Sequence, residues 1–168
     1  QPQGVYILEA PMGYGKTEAA LYIAYKMLEQ DKATGIYFAL PTQLTSNSMY
    51  IRMHKFLDKI CEGRVVSRLL HSNAWLSDTV IGEEGAPGKS WFDGNKRGIL
   101  APFAVGTLDQ ALLSVLHVKH GFVRAFGLAG KVVIIDEAHA YDLYTGTLLD
   151  ELIQKLVDWN CTDIILSA

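Results

Sequence analysis

The stretch EAPMGYGKTEAAL at residues 9–21 leaves the chain few folds to choose from. It joins a short apolar run to an amphipathic helix through a glycine loop that packing alone does not require. Val5, Tyr6, Ile7 and Leu8 are apolar, β-branched or aromatic, which predicts a strand buried on both faces of a parallel sheet. Beyond the loop, Ala20, Ile23, Ala24, Met27 and Leu28 recur at helical spacing and predict one apolar stripe on a helix that starts near Lys16. Gly13 and Gly15 let the backbone turn its N–H groups inward, where the positive end of the helix completes a concave anion site.

A triphosphate suits that electrostatics. Ala10, Pro11, Met12, Gly13, Tyr14, Gly15, Lys16, Thr17 and Glu18 are the expected cofactor-binding loop for ATP. Lys16 would reach the β- and γ-phosphates, and the Thr17 hydroxyl would be a ligand of the Mg²⁺ that bridges them. Ala10 stands where the commonest form of the motif has glycine. The plainer reading, a glycine-rich turn with an exposed lysine, leaves the flanking strand and helix unexplained.

A second half of the site is expected at Asp136. Val132, Val133, Ile134 and Ile135 run directly into Asp136, Glu137, Ala138 and His139. Four aliphatics ending in two acids place carboxylates at a buried strand's tip, where Asp136 would hold the magnesium, usually through water, and Glu137 would polarise an attacking water. A solvated turn or a helix cap is the ordinary alternative for such a pair.

Strand and helix alternate between these motifs. Strands are predicted over 36–40, 64–70, 131–135 and 163–167, and helices over 109–118 and 148–159. A further helix within 42–60 would put Met49, Met53, Phe56 and Ile60 on one face. Residues 99–105 read as a strand interrupted at Pro102, and Thr107 with Gln110 has the spacing of a capping box. An irregular insertion is expected over about 77–98. The pattern predicts an α/β fold with a central parallel sheet, helices on both faces, and ligands at the carboxyl ends of the strands.

With 168 residues and 49% hydrophobic content, one core is expected. The net charge of −3 is unevenly laid out, since residues 110–135 hold no carboxylate while seven acids lie between Asp136 and Asp163. The charges within 110–135 are Lys119, Arg124 and Lys131 alone, and nucleic-acid binding would use local basic strips and backbone amides, not a global positive field. Cys61 and Cys161 have no paired-ligand spacing, and no run of 18 apolar residues occurs, so a cytoplasmic protein without a membrane span is expected. The last residues, Ile164 to Ala168, read as the middle of a strand and suggest a piece of a larger protein.

The motifs together resemble the first RecA-like domain of a superfamily 2 helicase, a P-loop NTPase fold. More narrowly, they resemble the CRISPR-associated helicase-nuclease of type I systems. EAPMGYGKTEAAL resembles that family's motif I, FALPTQLTSN its motif Ia, KRGILAPFAVGTLDQALL its motif Ic region, VVIIDEAHAYD its motif II and the terminal LSA the start of motif III. Met12 and Tyr14 replace smaller residues common in that loop. The resemblance implies that Pro41, Thr42, Thr45, Ser46 and Asn47, with Thr107 and Asp109, contact the phosphates of single-stranded DNA; simple helix capping is the alternative for each. It also implies that His139, Ser167 and Ala168 couple the ATP site to a second RecA-like domain, which supplies arginine fingers. An HD nuclease domain and a CRISPR RNA-guided surveillance complex are the further partners it implies. None of the five histidines is followed by aspartate, so the chain itself is not expected to cut DNA. A DEAH-type RNA helicase or restriction translocase module, and a nucleotide-gated binding module, are the competing readings.

Overall fold

A computed structural model of the protein describes residues 4–41, 46–60, 69–71, 98–116, 121–136 and 143–167. Among these residues six strands form one parallel sheet: β1 (Val5–Glu9), β2 (Ile36–Leu40), β3 (Leu69–His71), β4 (Phe103–Thr107), β5 (Val132–Ile135) and β6 (Thr162–Ser167). Their order across the sheet is β1-β6-β5-β2-β4-β3. The helices are α1 (Lys16–Glu29), α2 (Ser46–Ile60), α3 (Leu108–Leu112), α4 (Gly121–Leu128) and α5 (Leu143–Asp158). Residues 77–97 of the expected insertion lie outside the described residues, as does the start of the expected third strand.

The sheet is buried on both faces through its centre, as parallel sheets require. Ile36, Phe38, Leu40, Val132, Ile134, Ile164 and Leu166 pack with Ala20, Ala24 and Met27 of α1 and with Met49, Met53 and Leu57 of α2. On the opposite face Tyr37, Ala39, Val133 and Ile135 pack with Leu108 and Leu112 of α3, Leu128 of α4, and Leu149, Leu152 and Leu156 of α5. The apolar stripe expected on α1 is buried along Ala20, Ala24 and Met27, with Leu21 added to it. On α2 the buried line runs Met49, Met53, Leu57, with Phe56 and Ile60 at its margin.

Several expectations are corrected. β1 is an edge strand, not one buried on both faces, because β6 is its one neighbour among the described residues; Val5 and Ile7 are 44% and 66% exposed. The interrupted strand is a 3₁₀ turn, Gly98–Leu100, followed by β4. The carbonyls there are satisfied from outside the ladder: Lys131 Nζ donates to those of Ile99 (2.8 Å) and Ala101 (2.5 Å), and Ile36 N–H donates to that of Pro102 (2.8 Å). That close approach demands Gly35, whose Cβ would stand 1.9 Å from the Pro102 oxygen. The helix expected over 109–118 is shorter, and α4, which the alternation does not reveal, lies beyond it. Lys131 and Arg124 are buried and form no basic strip on the surface.

Asp163 has a measurable consequence for stability. It is fully buried, stands in register between Val5 of β1 and Val133 of β5, and has no hydrogen-bond partner on either carboxylate oxygen among the described residues. Burial pushes its carboxyl up from 3.8 to about 7. Because the folded form prefers the protonated acid, its contribution to stability is full below 3.8 and is lost as the pH rises through about 7. Asp163→Asn is therefore expected to unfold like the parent near pH ~4, but to be more stable by roughly 2–4 kcal/mol near pH ~8. Denaturant titrations at the two pH values check this, and equal stability of both proteins at the higher pH would contradict it. Burial moves Lys131 in the other sense, from 10.5 down to about 7, so its contribution is full above 10.5 and is lost as pH falls through about 7.

Candidate functional site

Strand order decides which motifs meet. β6 lies between β1 and β5, so the loop after β1, the end of β6 and the residue after β5 share one carboxyl edge. Ala10 N–H donates to the Ser167 carbonyl (3.3 Å), which ties the loop to β6, and Asp136 N–H donates to the Ala39 carbonyl (3.0 Å), which ties β5 to β2.

The loop has the conformation its glycines predict. Gly13 and Gly15 have φ of 82° and 77°, in the left-handed region that side chains disfavour, and nothing crowds Gly13. Gly15 is the N-cap of α1 and offers no side-chain cap, so the first amides of the helix face the loop. Lys16 Nζ donates to the Ala10 carbonyl, which folds the lysine across the loop. A cleft of about 580 Å³ opens here, lined by Met12, Gly13, Gly15, Lys16, Thr17, Glu18, Arg52, Asp136, Leu166 and Ser167. The hydroxyl of Thr17 and the carboxylate of Asp136 thus border one cavity with the glycine cradle, a donor set that fits a polyphosphate with a hard divalent cation. Met12 and Tyr14 are 80% and 77% exposed, and Met12 stands in the wall of the cleft.

The expected nucleic-acid residues fall farther along the same edge. Leu40 and Thr107 are register partners, so Pro41 and the start of α3 leave the sheet side by side. Thr107 is buried and its carbonyl accepts the Tyr37 hydroxyl (3.0 Å), whereas Asp109 is exposed in the first turn of α3. The capping box expected there does not form: Thr107 makes no side-chain cap bond, and the Gln110 amide oxygen accepts from Arg124 Nε and Nη2 (3.5 Å each). Ser46 and Asn47 begin α2. Thr42, Thr45, Glu137, His139 and Ala168 lie outside the described residues.

Arg52 of α2 is the cleft residue that motif reading misses. It forms an ion pair with Glu18 in the first turn of α1. The Glu18 carboxyl is held below its usual range, first by a bond from its own backbone N–H and then by Arg52. A helical wheel puts Arg52 off the buried Met49 and Met53 line, but only the packing of α1 beside α2 brings it to the loop.

A glycine cradle at a helix N-terminus, with a strand-tip aspartate in the same cleft and a parallel sheet behind, defines a RecA-like nucleotide-binding domain. Residues 3–168 match the DEAD/DEAH box helicase family, and the chain belongs to it. It is 44% identical over 177 residues to the CRISPR-associated endonuclease/helicase Cas3 of Thermus thermophilus, covering 96% of this chain and 19% of that protein. The crystal structure of T. fusca Cas3-ATP superposes with a TM-score of 0.86 at 42% identity, covering 99% of this chain and 19% of that one. A chain of a CRISPR RNA-guided surveillance complex, pre-nicking, matches with a TM-score of 0.71 at 38% identity, covering 99% of this chain and 16% of that one. The chain thus spans about a fifth of the length of these relatives.

Proposed function

We propose that this chain is the ATP-binding motor domain, the first of two RecA-like domains, of a helicase that translocates on single-stranded DNA and unwinds DNA in type I CRISPR interference. The observation that carries the reading is the carboxyl edge itself. The phosphate cradle and Asp136 share one cleft, and the strand ends bearing Pro41 and Thr107 continue the same edge. Likeness to Cas3 proteins over nearly the whole chain narrows the class of helicase.

In this reading the amides of Gly13, Gly15 and the first turn of α1 bind the phosphates, and Lys16 swings from the Ala10 carbonyl onto the β- and γ-phosphates. Thr17 and Asp136 would hold Mg²⁺, whose charge offsets that developing on the transferred phosphoryl group. Glu137 follows Asp136 and orients the attacking water, while His139, Ser167 and Ala168 pass the state of the site to the second domain. Pro41, Thr42, Thr45, Ser46, Asn47, Thr107 and Asp109 track the DNA backbone without reading bases. An HD nuclease domain and an RNA-guided surveillance complex are the partners proposed by likeness. The proposed place of action is the cytoplasm; no described helix is long and apolar enough to cross a membrane.

The test is ATP turnover by the full-length protein with single-stranded DNA, RNA, double-stranded DNA or no nucleic acid. Stimulation mainly by single-stranded DNA is expected. Stimulation by RNA would favour an RNA helicase, by double-stranded DNA a translocase, and by none a nucleotide-gated binding module.

A further inference from the structure

Among the described residues, four charged side chains line the phosphate cleft: Lys16 and Arg52 are positive, Glu18 and Asp136 negative. Lys16 and Asp136 have roles in the proposed reaction, whereas the side chains of Glu18 and Arg52 pair with each other. Glu18 closes the expected nucleotide loop by its backbone, but its carboxylate is poorly placed beside a polyphosphate. It stands in the first turn of α1, with its carboxylate folded back toward its own N–H and Oε2 only 3.8 Å from where a Cβ on Gly15 would be. A carboxylate there competes with phosphate for the positive end of the helix and repels it. Its other oxygen is taken by Arg52 Nη2. We propose that Arg52 is a positioning residue for the nucleotide: it holds the Glu18 carboxylate to the side of the phosphate loop and cancels its charge, so that the loop's mouth stays near neutral when a polyphosphate arrives.

The inference rests on the nucleotide-site reading and deepens it. The pair is too exposed to matter for folding, with side chains 45% and 65% accessible for Arg52 and Glu18. The bound polyphosphate is a different matter, because its several negative charges would sit within a few ångströms of an uncompensated carboxylate. Lys55 and Lys59 lie along the adjoining groove between α1 and α2, beyond Arg52 and outside the phosphate cleft, so they do not replace it.

The test is equilibrium titration of the full-length protein with a fluorescent ATP analogue and Mg²⁺ at low salt. Arg52→Gln is expected to bind about five- to tenfold more weakly, an effect that shrinks as salt is added. Its melting temperature is expected to stay unchanged, and Arg52→Lys is expected to keep most of the affinity. The decisive arm is the double variant Glu18→Gln/Arg52→Gln, expected to return to within about twofold of the parent because the repelling charge is gone as well. Unchanged affinity in Arg52→Gln, or a double variant as weak as the single, would overturn the proposal; the latter is the result if Arg52 gripped phosphate directly. A parent protein that failed to bind the analogue at all would overturn the nucleotide-site reading, and this inference with it.

Discussion

Lys16→Ala is expected to reduce ATP hydrolysis by the full-length protein at least about 100-fold and to weaken ATP binding about tenfold. Lys16 is the one cation that rises from the loop itself, and its ammonium already lies across the cradle on the Ala10 carbonyl. A short swing puts it on the phosphates, where its charge counts for more as negative charge builds on the transferring group. Binding suffers less than turnover because the loop amides and the end of α1 still hold phosphate. Steady-state turnover beside a binding titration separates the two effects. Turnover within about threefold of the parent would remove Lys16 from the chemistry.

Glu137→Gln is expected to give the opposite balance, with turnover down about 100-fold or more and ATP binding nearly intact. The substitution keeps the shape of the side chain and removes the negative charge that polarises water. Asp136, the neighbour that would hold Mg²⁺, stays in the cleft. Such a variant should accumulate bound, unhydrolysed ATP, which chromatographic analysis of the filtered complex would detect. Hydrolysis at the parent rate would reassign the water-activating role.

The phosphate loop was legible because its chemistry is local: strand, Gly13, Gly15, Lys16, Thr17 and helix occupy one continuous stretch, and the structure keeps them together. Asp136 was legible for the same reason, as the first polar residue after four buried aliphatics. What sequence could not show is adjacency between segments. Val5 and Ile7 read as core because nothing in a four-residue apolar run reveals that its strand lies at an edge, which follows only from β6 entering between β1 and β5. Lys131 reads as the first residue of the strand over 131–135, and nothing in that stretch shows that two backbone carbonyls before β4 bind its ammonium inside the protein. α4 has too few polar residues to display a period, and only its packing against the 3₁₀ turn and α3 defines it. Arg52 belongs to the same class, since two helices must lie side by side before its pairing with Glu18 exists.

The central claim is that one carboxyl edge binds nucleotide at one end and single-stranded DNA at the other. Amide hydrogen exchange of the full-length protein tests it most directly, with a non-hydrolysable ATP analogue and Mg²⁺, and then with single-stranded DNA added. The nucleotide is expected to slow exchange in residues 10–20 and around Asp136, and DNA to add protection in residues 41–50 and 106–110, with the amino edge near Pro102 and Lys131 unchanged. Protection confined to that opposite edge, or none in residues 10–20 at saturating nucleotide, would contradict the account.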